Sequence, residues 1–210
     1  FSDQTDAIAV GGAGRIYVVG WTATGPESDA VAAPHELFIQ ALAANGDPEW
    51  SRTYPATAHR DQHFGADVAV SGRTLVVSAL VDGVPVALSR VRPGHAWLSR
   101  LTLNGDPVWT RRWGMTWSRA AQPTAVALGA SDQITVVGTR RDRSDRGLDA
   151  FVRRYSPQGR LRWNVTLEEG RRLMEGGDIA WAPRGFSVTA EAMEKRYRPL
   201  LGYVWMFPEA

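Results

Sequence analysis

The stretch Ala150-Phe-Val-Arg-Arg-Tyr-Ser-Pro-Gln-Gly-Arg-Leu-Arg-Trp163 alternates apolar and polar residues, turns through a Pro/Gly pair and emerges toward a tryptophan. That is the pattern of a β-hairpin: alternation gathers one set of side chains on a buried face, and the glycine supplies the turn. The same design stands at Leu37 to Trp50 and at Ala96 to Trp109. Each copy ends Gly-x-x-x-Trp, through Gly46, Gly105 and Gly159. A unit recurring in this way means repeat architecture.

Two further strands precede each hairpin. Asp6 to Val10 and Ile16 to Gly20 flank the turn Gly11 to Gly14, and the polar segment Trp21 to Glu36 leads to the first hairpin. The order returns in Ala66 to Val70 with Leu75 to Ala79, and in Thr124 to Leu128 with Ile134 to Gly138. A fourth unit gives Asp178 to Trp181, Phe186 to Thr189 and Gly202 to Phe207, without a fourth strand. The repeats are 6–54, 66–113, 124–167 and 178–207, in one domain over 1–210. Four short strands per unit and no helical period predict an all-β chain: a β-propeller of four-stranded antiparallel blades, three full and one three-stranded, in an incomplete ring. Strands are lettered a to d from the axis outward.

Strand a carries Ala9, Ala69, Ala127 and Ala180 at one position, where small side chains near the axis would let sheets converge. The flanking Ile8, Val68, Val126 and Ile179 are expected to face the adjacent blade as core. Trp50, Trp109 and Trp163 on strand d read as the residues that dock one blade on the next.

The succession of strand a, short turn, Ile16-Tyr-Val-Val-Gly20 or Ile134-Thr-Val-Val-Gly138, polar loop, Asp149-Ala-Phe-Val152 and Gly-x-x-x-Trp resembles the bacterial β-propeller repeats labelled SBBP. The Gly-x-x-x-Trp element is also similar to blades of quinoprotein dehydrogenase-like propellers and of outer-membrane assembly lipoproteins. The resemblance implies an extracytoplasmic bacterial protein, periplasmic, outer-membrane-associated or secreted. It assigns no catalytic residue.

The 210 residues contain no cysteine, which excludes disulfides, thiolate metal sites and a cysteine nucleophile. A net charge of +2 is too small to imply a nucleic-acid partner. No apolar run reaches membrane-span length, since Leu75 to Leu88 is broken by Asp82 and Pro85. There is no Gly-x-Ser-x-Gly, His-Glu-x-x-His or P-loop, and Gly12-Ala-Gly14 is a hairpin turn. His59, Asp61 and His63 read as a solvated loop in preference to a metal site. Arg140 to Arg146 reads as a self-neutralising loop in preference to an anion site, and the Asn164 sequon lies on a strand.

The a–b and c–d turns are short and the b–c and d–a loops long, and a propeller puts both long sets on one face. That face gathers Trp117, Arg119, Arg140, Arg141, Arg143, Arg146, Arg196 and Arg198, an aromatic and arginine mixture suited to protein recognition. The expectation is a non-catalytic binding or scaffold module for a protein partner, without cofactor. The alternative is a carbohydrate-binding propeller with aromatics such as Trp117 stacked on sugar rings. A quinoprotein-like enzyme fragment ranks below both. Both chain ends fall within a repeat, so the apolar edge Tyr203 to Phe207, with Tyr203 and Trp205, is expected to receive a strand from upstream sequence or from a partner.

Overall fold

A computed structural model of the chain describes residues 3–24, 34–55, 62–83, 94–116, 119–141, 147–167, 173–182, 185–193 and 199–208. These residues contain strands and short 3-10 turns but no α-helix. Blade I is β1 (Asp3–Val10), β2 (Ile16–Ala23), β3 (His35–Leu42) and β4 (Pro48–Tyr54). Blade II is β5 (Phe64–Ser71), β6 (Thr74–Val81), β7 (His95–Leu101) and β8 (Pro107–Trp113). Blade III is β9 (Ala121–Leu128), β10 (Ile134–Arg141), β11 (Leu148–Tyr155) and β12 (Leu161–Leu167). Blade IV is β13 (Leu173–Ala182), β14 (Gly185–Met193) and β15 (Pro199–Pro208). Every sheet is an antiparallel meander in chain order. The chain is an all-β propeller assembly whose last sheet, among the described residues, has three strands with β15 at its edge.

The first strands pack in sequence, β1 on β5, β5 on β9 and β9 on β13, and so line the inside of the arc. Strand a bulges at the same place in every blade, with the register slipping at Asp6, Ala66, Thr124 and again between Gly176 and Ile179. The bulge explains the glycine that ends the Val-Val-Gly element. A Cβ on Gly138 would strike the Gln122 carbonyl and stand 2.7 Å from Pro123 Cα; one on Gly20 would strike the Gln4 carbonyl.

Three apolar clusters form the three junctions. Tyr17, Val19 and Ile39 meet Val68, Val77 and Trp97 between blades I and II. Val76, Ala96 and Leu98 meet Val126, Val136 and Phe151 between II and III. Val137, Ala150 and Val152 meet Ile179, Phe186 and Val188 between III and IV. β6 is buried along its whole length because blades cover both faces, which is why its sequence does not alternate. The outer strands β4, β8 and β12 are mostly exposed and send their tryptophan inward.

Those tryptophans dock neighbouring blades. Trp50 Nε1 donates to the Leu103 carbonyl at 3.0 Å, and Trp109 Nε1 to that of Pro157 at 2.8 Å. Beneath each indole lies the turn glycine of the next blade. A Cβ on Gly105 would come within 2.8 Å of Trp50, and one on Gly159 within 2.7 Å of Trp109. Both glycines have positive φ, +84° and +75°, a second reason that only glycine fits. The alanines correct the expectation: Ala9, Ala69 and Ala127 are half-buried and Ala180 is exposed. They face the following blade, so their burial depends on one being present. Of their flanking residues Val68, Val126 and Ile179 are core, whereas Ile8 is exposed.

Candidate functional site

A cleft of about 340 Å3 opens on the long-loop side of the junction between blades II and III. Five short segments build it. Trp113 ends β8, Arg119 lies in the loop that follows, Arg140 and Arg141 end β10, Phe151 and Arg153 lie on β11, and Asn164 on β12. Gly114, with φ +80°, turns the chain out of β8; a Cβ there would sit 2.6 Å from the Ala121 amide nitrogen. The floor is aromatic, with Trp113 and Phe151 edge to face at 6.0 Å. The Arg153 guanidinium stacks 4.7 Å from the Trp113 ring and is held by Nε donating to Asn164 Oδ1 at 3.0 Å. Arg140 pairs with Asp149 at 3.2 Å, and the Arg141 amide donates to the Ala120 carbonyl at 2.9 Å. Four arginines, one of them paired with Asp149 and one stacked on Trp113, therefore line a cleft with two rings at its floor, in a volume at the lower end of the roughly 300–1,000 Å3 of small-molecule sites.

Of the residues singled out from sequence, Arg119, Arg140 and Arg141 line this one cleft. Tyr203 and Trp205 lie apart from it on β15, stacked on each other at 5.4 Å and half-buried toward blade III. Trp117, Arg143, Arg146, Arg196 and Arg198 fall outside the described residues. Trp113, Phe151, Arg153 and Asn164 join the three arginines in the cleft, although the sequence marks Asn164 only as a sequon and Phe151 only as part of the repeat motif. Each reads locally as an ordinary strand position, and only the packing of β8 against β11 brings them together.

His63 corrects a second expectation. It is buried, with Nδ1 3.1 Å from the Tyr54 carbonyl and Nε2 3.2 Å from Asp82 Oδ1, while Arg112 pairs with the other Asp82 oxygen at 3.2 Å. The residue that supplies this carboxylate, Asp82, follows β6 with a φ of +60°. His59 and Asp61 lie outside the described residues. Among the described residues no group of three His, Asp or Glu side chains could hold a metal ion, and no helix is long and apolar enough to cross a membrane. Three carboxyls on the inner strands, Asp6, Asp67 and Glu175, are held above the usual carboxylate range, chiefly by burial.

No family model and no curated protein matches the sequence. Solved structures do match the fold. Trypanosoma rangeli sialidase superposes with a TM-score of 0.55 at 10% identity, over 91% of this chain and 35% of that one. The same sialidase in complex with sialic acid gives 0.56 at 9%, over 91% and 34%. Its complex with the inhibitor DANA gives 0.55 at 9%, over 91% and 35%. The chain spans about a third of the length of these structures, and the likeness is one of fold.

The comparison overturns the expectation of a non-catalytic module, because the solved structures that share this fold are enzymes. That expectation rested on the lack of a contiguous motif. Propeller sites are assembled from strand ends far apart in sequence, as the cleft here is, so a missing motif carries no weight.

Proposed function

We propose that the chain is a carbohydrate-binding β-propeller that takes an acidic sugar in the cleft between blades II and III. The observation that carries this reading is that Arg119, Arg140, Arg141 and Arg153 line one cleft together with Trp113 and Phe151. A guanidinium offers paired N–H donors matched to a carboxylate, and the rings give the apolar face of a sugar a surface to lie on. The sialidase neighbours, one of them in complex with sialic acid, make that sugar the first ligand to test. The repeat resemblance supports an extracytoplasmic location, where such glycans would be met.

Calorimetric titration tests the proposal. Sialic acid should bind and a neutral hexose should not, and Arg153→Ala should weaken the acid sugar by about tenfold, on the scale of one charge-assisted contact. Equal binding of acidic and neutral sugars, or no binding of either, would refute it.

A further inference from the structure

The turn between strands c and d is built alike in blades I, II and III. Ala43 N donates to the Asp47 carbonyl at 2.8 Å, Thr102 N to that of Asp106 at 2.8 Å, and Ser156 N to that of Arg160 at 2.9 Å. In blades II and III the hydroxyl of the first turn residue also accepts from the third and fifth amides. Thr102 takes those of Asn104 and Asp106, and Ser156 those of Gln158 and Arg160. The backbone is thus matched position by position, but the charge is not. Blades I and II carry an aspartate at the exposed fifth position, and blade III carries Arg160.

The reversal leaves one junction without a counter-charge on its rim. Between blades I and II, Arg52 of β4 reaches Asp106 Oδ1 at 3.4 Å. Arg111 holds the same place on β8, two residues after the docking tryptophan. It meets the turn of blade III, where its Nε donates to the Gly159 carbonyl at 2.8 Å, and the next residue of that turn is Arg160 in place of an aspartate. Among the described residues neither Arg111 nor Arg160 makes an ion pair, and both are exposed.

This basic rim runs on from the cleft. Arg111 stacks 5.3 Å from the Trp109 ring, as Arg153 stacks 4.7 Å from that of Trp113. Between the two stacks lies the Tyr155 ring, 6.5 Å from Trp109 and 6.1 Å from Trp113. Burial raises the Tyr155 phenol above its ordinary range while the Arg153 and Arg111 charges both pull it back, so the two guanidinium groups share this neighbour. At the rise of a strand, Trp109 and Trp113 stand about 13 Å apart along β8, farther than one sugar ring extends.

We propose that the cleft and this rim form one continuous site for an acidic oligosaccharide, with one acidic sugar in the cleft and the carboxylate of a later sugar on Arg111 and Arg160. The inference rests on the reading of the cleft as an acidic-sugar site. An exposed ion pair contributes little by itself, but a second contact made by a ligand already held in the cleft is intramolecular, and linkage multiplies its effect.

Calorimetric titration of the whole chain with sialic acid and with a linear sialic acid tetramer tests this. The tetramer should bind more than about tenfold tighter, beyond the roughly fourfold gain that four equivalent sugars give by statistics. Arg160→Asp restores the residue that blades I and II carry; it should remove the advantage and leave the affinity for the monomer unchanged. Arg111→Ala should act alike. On the unsubstituted chain, where no variant has to fold, added salt should weaken the tetramer more than the monomer, and equal weakening would count against the rim. A monomer that binds with no advantage for the tetramer, or an advantage that survives Arg160→Asp, would overturn the rim while the cleft reading stands. Silence toward both ligands would refute the cleft reading, and this inference with it. A single-stranded oligonucleotide of equal charge that binds as tightly as the tetramer would overturn the choice of a sugar chain.

Discussion

The carboxylate of Asp67 crosses from blade II to accept a hydrogen bond from the Val126 amide of blade III at 2.8 Å, beside the axis of the arc. Burial holds this carboxyl at about 6, above the ordinary 3.8, and the nearby Asp178 charge pushes the same way, while the two amide bonds only partly offset them. Between those values the folded chain binds a proton that the unfolded chain has released. Stability is therefore greater on the acid side and falls as pH rises through about 6, by on the order of 2 kcal/mol. Urea midpoints on either side of that pH should show the fall, and Asp67→Asn should abolish it.

Trp109 tests the joint between blades II and III. Trp109→Ala removes the indole from the cluster around Val126 and Phe151 and should cost about 3 kcal/mol. Trp109→Phe keeps a ring and loses the bond to Pro157, whose carbonyl retains the Arg100 donor at 2.9 Å. It should cost about 1 kcal/mol, read from equilibrium denaturation.

Gly138→Ala places a methyl group against the bulged backbone of β9. Backbone gives way less readily than a side chain, so a loss of about 1–3 kcal/mol is expected, with the melting temperature lowered accordingly. Gly12→Ala, where a Cβ meets nothing within 4 Å, is the control and should leave the melting temperature nearly unchanged.

His63 sits between two acceptors, and one of them can be removed. Asp82→Ala takes away the partner at 3.2 Å and leaves a buried ring nitrogen unsatisfied, at a cost of about 1–3 kcal/mol. Asp82→Asn should cost less, because asparagine tolerates the +60° φ found there and keeps an oxygen near the ring. Thermal melts of the two variants should rank in that order.

The sugar reading makes a separate demand on Trp113. Trp113→Leu removes the ring on which Arg153 stacks and should weaken acidic-sugar affinity about tenfold while the fold is kept. A variant that binds as well as the parent would mean that the aromatic floor plays no part.

The fold was legible because period-two alternation and the recurring Gly-x-x-x-Trp turn are local signals, and each is repeated. Trp50 and Trp109 were readable as docking residues for that reason. The cleft was legible only in part. Arg119, Arg140 and Arg141 stand where strands run into long loops, and the shared face of those loops follows from strand order alone. Arg153 and Asn164 could not be found that way. Their partnership depends on the register of β11 with β12, in which Arg153 stands opposite Asn164. His63 was misread because a polar residue in a loop gives no sign of whether the next blade will cover it. The exposure of Ala180 and Ile8 has the same origin, since burial in a repeat protein belongs to the junction and not to the residue.

The turn glycine and the strand-d tryptophan of one hairpin serve different junctions: Gly105 receives Trp50 from the blade before, and Trp109 reaches Gly159 in the blade after. One short segment therefore carries a socket for its predecessor and a plug for its successor. When such a segment is copied in tandem within a gene, both halves travel together and each new junction is furnished at birth. Lengthening the array needs no coordinated change elsewhere, and a loop can drift in length, as those after strand b have done, without disturbing the coupling that sets the order of the blades.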